Sequence, residues 1–234
     1  MQEDYKKRRA YYARRRKRRR RIIFKRTVCL LLFAAAVIVG ITVFKNSRFS
    51  KKTVSNTPKI DVTEKLKAIE IPAFVDRQII HLHSTARTGT PLDGVKNIVI
   101  HYVGNPGTTA QNNRDYFDKD STEVSSHFLV GLEGEIIQCV PLWEKSAASN
   151  WRNSDTISVE VCHPDESGKF GDKTYKSVVK LTAWLLKETG LDENDVIRHY
   201  DITEKLCPIY YVKHEDAWNN LKKDIGKALK DIKG

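Results

Sequence analysis

The sequence predicts an α/β domain with a mixed central β-sheet flanked by helices, preceded by one N-terminal transmembrane helix. From residue 97 onward, short apolar segments of strand length alternate with longer amphipathic segments, which is the pattern of a layered α/β fold. Nearer the N-terminus, a run of uncharged residues at 27–44 lies between basic flanks. The 234 residues are enough for one domain of about 150 residues and an appendage.

The apolar run TVCLLLFAAAVIVGITVF at 27–44 has the length of a membrane-spanning helix. As a helix it would rise roughly 27 Å, close to the thickness of the hydrocarbon core of a bilayer. The alternatives are a buried core helix, which would show a polar stripe, and a cleaved signal peptide, which would be followed by a small-x-small site. Neither feature is present, so we expect an uncleaved anchor.

The positive charge of the chain, +12, is concentrated before this run. Residues 6–26 hold 14 of the 41 Lys and Arg, and the chain from residue 27 onward carries no net charge. Because excess Lys and Arg marks the cytoplasmic flank of a membrane helix, we expect segment 1–26 in the cytoplasm and the C-terminal domain outside the membrane. A neutral domain also argues against nucleic acid as a partner.

Residues 45–72 are polar and contain two prolines, so we expect a linker with at most a short helix, followed by one domain at 73–234. Strands are predicted at 97–103, at 156–162, at 196–202, and as a pair joined by a Gly-containing turn within 126–140. Helices are predicted at 108–119, 174–190 and 214–232. In the second helix, one apolar face is expected to contain Val178, Leu181, Trp184 and Leu185, with Gly190 as the C-cap.

Three residues could hold a catalytic metal, which in a zinc hydrolase needs three protein ligands and one open position. His101 and His199 lie near the ends of predicted strands, and Cys207 follows His199 by eight residues. Each also has a simpler explanation, because strand-end histidines are often structural and a lone cysteine is often a small buried apolar residue. Spacing alone does not decide between these interpretations.

Four segments resemble, in the same order, those of the type 2 N-acetylmuramoyl-L-alanine amidases, a zinc amidase family related to peptidoglycan-recognition proteins. These segments are NIVIHYVGNPGTTA, VSSHFLVGLEGEIIQCVP, TISVEVCHPDESGKF and IRHYDITEKLCP, and the resemblance covers residues from about 75 to 215. It implies a bacterial enzyme in which a zinc-activated water hydrolyses the amide between N-acetylmuramic acid and L-alanine in cell-wall peptidoglycan, and the apolar run at 27–44 would make this enzyme a membrane-anchored member. The alternative is a membrane-tethered domain that binds peptidoglycan without cutting it.

The resemblance also implies roles for five residues. His101, His199 and Cys207 would coordinate Zn²⁺, Glu160 would be the general base, and Lys205 would stabilise the oxyanion. Members that only bind peptidoglycan typically lack the third ligand, whereas Cys207 is present. Relatives often carry Tyr immediately before the position of His127, and Ser126 in this chain favours the mechanism that depends on Glu160.

Further residues are candidates for contact with a glycan and peptide, although packing within loops would explain them equally well. They are Asn105, His127, Asn150, Trp151 and Arg152. His127 is open to a structural or a substrate-lining role, and His163 is expected to face solvent. Cys139 and Cys162 lie on predicted strands, where an external compartment would permit a disulfide, but buried free thiols are the preferred expectation.

Overall fold

The structure of the chain, a computed structural model, describes residues 62–82 and 85–233. The predicted basic segment, the predicted anchor at 27–44 and the first part of the predicted linker, 45–61, lie outside the described residues. Among the helices that are described, none is long and apolar enough to span a bilayer. The domain boundaries expected from the sequence therefore stay predictions.

A mixed sheet forms the centre of the described region, as the sequence predicted. Its strands are β1 (Asp76–Arg77), β2 (Asn97–Ile100), β3 (Phe128–Val130), β4 (Ile136–Gln138), β5 (Thr156–Val161) and β6 (Val196–Arg198). They lie in the order β1-β4-β3-β5-β2-β6. Only the hairpin of β3 and β4 is antiparallel, and all other neighbouring pairs among these strands are parallel. The parallel strands β5, β2 and β6 therefore end at one edge of the sheet.

Helices flank the sheet, and three of them, at 110–117, 172–189 and 215–233, lie where the apolar periodicity predicted helices. The described helices are α1 (Val62–Lys67), α2 (Ala110–Phe117), α3 (Asp172–Thr189), α4 (Tyr200–Thr203), α5 (Ile209–Lys213) and α6 (Glu215–Lys233). Two 3₁₀ turns are also described, at Asn150–Arg152 and Glu193–Asp195. The helix α1 is the short helix allowed for in the linker, whereas the two-residue strand β1 was not predicted.

The larger apolar core lies where α3 and α6 pack with the sheet. Val178, Leu181, Trp184 and Leu185 of α3 are all buried, which confirms the predicted face. Gly190 is the C-cap of α3, with a left-handed φ of 73° that suits glycine. A smaller core on the α2 side includes Leu129 and Ile137 from the sheet and Ala110 and Phe117 from α2.

The predicted strand at 196–202 is too long. The strand ends at Arg198, whose backbone N–H donates to the carboxylate of Asp201 at 2.8 Å, and the chain then turns into α4. This turn is important for the site because it places His199 immediately after the strand rather than within it.

Cys139 and Cys162 are buried free thiols and do not form a disulfide in the structure. Burial raises the pKa of both thiols, that of Cys162 to about 12, so neither is a reactive thiolate at neutral pH.

Candidate active site

One row of side chains crosses the edge where three parallel strands end. Ile100 is the last residue of β2. It pairs on one side with the residue before Glu160 in β5, and on the other side with the residue before His199 at the end of β6. One position further along, His101 therefore lies between Glu160 and His199, with all three side chains on the same face of the sheet. The rings of His101 and His199 have their centres 4.8 Å apart. The parallel register thus brings together residues distant in sequence.

Cys207 reaches this row through the short helix α4. After α4, Glu204 adopts a left-handed φ of 61°, and the chain folds back so that the backbone N–H of Tyr200 donates to the carbonyl of Cys207 at 3.0 Å. The peptide bond from Cys207 to Pro208 is cis. The Sγ atom of Cys207 lies 3.8 Å from Nδ1 of His101 and accepts a hydrogen bond from the backbone N–H of Tyr102.

The donor atoms of His101, His199 and Cys207 fit a zinc ion. They lie within 4.8 Å of one another, and all three residues are buried. Two imidazoles and a thiolate are typical ligands of zinc. In a tetrahedral site with zinc–ligand bonds of about 2.1 and 2.3 Å, nitrogen and sulfur would be about 3.6 Å apart, which is close to the observed 3.8 Å.

The protonation states of these residues also suit a cation. Burial lowers the pKa of His101 well below its usual value, and the charges of His199 and Lys205 act in the same direction. Burial lowers the pKa of His199 as well, with Lys205 contributing. Both rings are therefore neutral and keep a lone pair. Burial raises the pKa of the Cys207 thiol to about 12, so its ionisation requires a compensating positive charge such as a metal ion.

Glu160 lies beside the three candidate metal ligands without belonging to that set. Its Oε1 atom is 3.8 Å from Nδ1 of His101. Its Oε2 atom is buried and has no hydrogen-bond partner among the described residues. Burial raises the pKa of Glu160 to about 8, although Lys205 opposes this shift. A cation at the neighbouring metal position would favour the ionised form of Glu160, and a carboxylate with a free oxygen there is suited to accept a proton from water.

A cavity of about 520 Å³ opens next to this row and extends along α2. Its walls combine amide, aromatic and charged groups, including Asn105, Tyr116, Lys119, Glu160, His199 and Lys205. Such a mixture suits a ligand with both sugar and peptide parts. The buried ligands and the carboxylate thus face a space large enough for a substrate.

A family model described as N-acetylmuramoyl-L-alanine amidase matches residues 88–210, which is more than half of the chain and includes every residue of this site. The chain belongs to the N-acetylmuramoyl-L-alanine amidase family. The predicted family is therefore confirmed.

Two curated N-acetylmuramoyl-L-alanine amidases from Bacillus are similar to this family member. CwlL of Bacillus licheniformis is 30% identical over 172 residues, which are 66% of this chain and 47% of CwlL. BlyA of Bacillus subtilis (strain 168) is 32% identical over 167 residues, which are 62% of this chain and 45% of BlyA. The chain spans about half the length of the curated relatives it matches.

Solved structures of two relatives share the fold of this amidase-family chain. A mutant endolysin from Bacillus subtilis is 26% identical, with a TM-score of 0.57, and the match covers 65% of this chain and 98% of the endolysin. The catalytic domain of XlyA is 25% identical, with a TM-score of 0.56, and the match covers 65% of this chain and 99% of that domain. The mixed α/β fold predicted for the domain is thus confirmed.

The structure distributes the predicted substrate residues of the amidase-family domain unevenly. Asn105 is exposed and lines the cavity, as does Lys205, which was predicted to stabilise the oxyanion. Trp151 is 70% exposed in the 3₁₀ turn that also contains Asn150, whose side chain contacts His199. Arg152 is held internally, because its guanidinium donates to Asp155 at 2.6 Å and to Asn97 at 2.7 Å. Of the two roles left open for Arg152, substrate contact and packing within a loop, these hydrogen bonds favour packing.

Of the two roles left open for His127, the structure favours the structural one. Its side chain is fully buried, two register positions before the row of Glu160 and His101. The Nδ1 atom accepts a hydrogen bond from the backbone N–H of Ser158 at 3.0 Å, and Nε2–H donates to the carbonyl of Glu144 at 2.9 Å. Both ring nitrogens are thus engaged inside the protein.

His163 does not face solvent, contrary to expectation. It is 1% exposed, its Nδ1–H donates to the carbonyl of Asp165 at 2.7 Å, and its ring lies against that of Tyr102. Tyr102 and the α2 residue Tyr116, neither of which was predicted, line the cavity.

Proposed function

We propose that this chain hydrolyses the amide bond between N-acetylmuramic acid and L-alanine in peptidoglycan, with zinc as its cofactor. The observation that carries the proposal is the row of Glu160, His101 and His199, completed by Cys207, at the edge of a substrate-sized cavity. The names of CwlL and BlyA as N-acetylmuramoyl-L-alanine amidases support the choice of bond.

His101, His199 and Cys207 would hold the metal, and the remaining residues act on the substrate. Zinc, when bound, supplies Lewis acidity that polarises a carbonyl and lowers the pKa of water. Glu160 accepts a proton from the attacking water through its unpaired oxygen and passes it to the departing amine, so that one water yields one carboxylate and one amine. Lys205 faces the same cavity, where its ammonium group stabilises the negative oxygen of the carbonyl under attack.

The cavity along α2 would bind the glycan and stem peptide around the scissile bond. Asn105 offers an amide to polar groups of the substrate, and Tyr116 offers a half-exposed aromatic ring. Trp151 would provide a second aromatic surface beside the site, where a sugar ring can pack.

The enzyme would act outside the cytoplasmic membrane of a bacterium, as a single-pass membrane protein. The charge distribution supports this proposal, because 14 Lys and Arg precede the apolar run and the chain after them is neutral. The substrate supports it as well, since the peptidoglycan layer lies outside that membrane.

Release of new amino termini from purified peptidoglycan by the full-length chain would test the activity. We expect Glu160→Gln to lower the rate by about 10²–10⁴-fold because it removes the proton acceptor. Cys207→Ala should abolish both activity and bound zinc, since two ligands remain. Glu188→Gln, an exposed residue on α3, is the matched control and should retain the wild-type rate.

Mass analysis of the products would identify the bond, since the expected cleavage leaves L-alanine with a free amino group. Retention of the wild-type chain on peptidoglycan without any new amino termini would contradict the proposal and establish the binding-only alternative. Full activity of both Glu160→Gln and Cys207→Ala would show that this site does not perform the reaction.

A further inference from the structure

Two consecutive residues outside the sheet contact the outer nitrogens of both histidine ligands. The Oδ1 atom of Asn150 lies 2.8 Å from Nε2 of His199. The Oγ atom of Ser149 lies 3.3 Å from Nε2 of His101. One turn of the chain therefore touches both imidazoles from the side opposite to their Nδ1 atoms.

The turn that carries these residues is held in place by the protein itself. The Oδ1 atom of Asn153 accepts hydrogen bonds from the backbone N–H groups of Ala148, at 3.2 Å, and Ser149, at 2.6 Å. Ser149 is fully buried. The preceding residues, Ala147 and Ala148, form part of the cavity wall. The segment is thus built into the site and is not a loose surface loop.

Asn150 adopts a backbone conformation that most residues avoid. Its φ of 53° lies in the left-handed region, which asparagine tolerates better than other residues with a Cβ atom. Glycine would accept this φ as well, but it offers no side-chain acceptor. Asparagine therefore meets two requirements at this position, the left-handed backbone and an oxygen directed at His199.

The contact with Asn150 determines which nitrogen of His199 carries the proton, and the contact with Ser149 is compatible with the same tautomer of His101. An amide oxygen only accepts hydrogen bonds, so Nε2 of His199 must be protonated and Nδ1 is left with a lone pair. The Ser149 hydroxyl can accept from Nε2–H of His101 in the same way. The Nδ1 atom of His101 then faces Sγ of Cys207 and the Glu160 carboxylate, where a metal would be bound.

We infer that Ser149 and Asn150 are positioning residues that fix the tautomer and orientation of both histidines for metal binding. This inference rests on the zinc site of the proposed function. Partners on the outer nitrogen of a metal-bound histidine orient the ring and raise its basicity, and their loss typically weakens metal affinity by 10–100-fold. The contact of Asn150 is the shorter of the two, so its loss should have the larger effect.

Zinc dissociation constants of the full-length chain, measured by competition with a chelator, would test the inference. Asn150→Gly keeps the left-handed backbone and removes the oxygen, and we expect zinc to bind about 10–100-fold more weakly. Asn150→Asp keeps the acceptor oxygen, so this variant should bind zinc as tightly as the wild-type chain or more tightly. Trp151→Ala is the matched control because Trp151 lies in the same turn and is 70% exposed, and it should leave zinc binding unchanged.

The absorption spectrum of the cobalt-substituted protein gives a second measurement, because it reports ligand geometry rather than stability. Asn150→Gly should change this spectrum while the unfolding midpoint of the metal-free protein stays the same. In the zinc titration, Ser149→Ala combined with Asn150→Gly should bind zinc more weakly than Asn150→Gly alone. Wild-type zinc affinity in Asn150→Gly would overturn the inference and leave the proposed function intact. Equal losses in Asn150→Gly and Asn150→Asp would also overturn it. Absence of zinc from the wild-type chain would instead contradict the proposed function.

Discussion

At the scale of single residues, His127 links the pH of the medium to the stability of the fold. It is fully buried, and burial lowers its pKa from 6.5 to about 4. Its pKa in the unfolded chain is about 6.5, so between these values the unfolded state binds more protons than the folded state. Its contribution to stability is therefore complete above pH 6.5 and is lost as the pH falls toward 4, by up to roughly 3 kcal/mol.

The His127→Asn variant tests this prediction because asparagine fills much of the same space and does not titrate. At pH 7.5 we expect the variant to be less stable by about 1–3 kcal/mol, since it cannot keep both hydrogen bonds of the ring. As the pH falls to 4.5 the difference should shrink, as measured by denaturant unfolding of both proteins. His101 and His199 also take up protons in acid, so only the difference between the proteins is informative. A difference that is the same at both pH values would contradict the prediction.

The histidines show how far single residues could be predicted from sequence. His101, His127 and His199 all lie at or beside predicted strands, and composition alone does not separate ligands from structural residues. The resemblance to the amidase family selected His101 and His199 as candidate ligands, and the register explains why they meet. The burial of His163 was missed because it depends on Tyr102, a contact that follows from no local pattern.

The side chains that line the cavity from α2 could not be predicted for a different reason. Polar residues on an amphipathic helix give the same pattern whether they face solvent or a binding cavity. The sequence therefore does not distinguish Asn113 and Tyr116 of α2, or Lys119 just after it, from an ordinary exposed face, although the structure places them along the cavity.

At the scale of elements, Gly190 provides a test of how α3 ends. Its φ of 73° is left-handed, and no atom lies within 4 Å of the position that a Cβ atom would occupy. The cost of Gly190→Ala is therefore one of backbone conformation and not of packing, and we expect a loss of about 1–2 kcal/mol in unfolding free energy. Denaturant unfolding would measure this loss.

Gly94→Ala is the matched control for that experiment. Gly94 also has free space around its Cβ position, but its φ lies outside the left-handed region. Alanine there should leave the unfolding free energy unchanged or raise it slightly, because it restricts the unfolded chain. Equal destabilisation by both substitutions would show that the left-handed φ of Gly190 is not the cause.

Elements with a clear repeating pattern of apolar residues were predicted well, whereas short elements whose bounds depend on side-chain contacts were not. The periodicity of α3 gave its buried face, and the β-branched residues of β2 and β5 gave their strands. The end of β6 depends on a hydrogen bond from Arg198 to Asp201, which periodicity does not encode. The short strand β1 was missed because two residues are too few to show alternation.

At the scale of the whole molecule, the predicted topology separates a basic cytoplasmic segment from a neutral external domain. Residues 6–26 contain 14 basic residues, which resist transfer across a membrane, and 27–44 supply an apolar run of spanning length. We expect the full-length chain in the membrane fraction of bacterial cells, with its C-terminal domain digested by protease added to intact protoplasts. Deletion of residues 1–44 should move the chain to the soluble fraction. It should also protect the chain from the added protease, because the shortened chain stays in the cytoplasm. A cytoplasmic marker protein that survives the protease shows that the membranes are intact. If the full-length chain also resists the protease while this marker survives, the proposed orientation is contradicted.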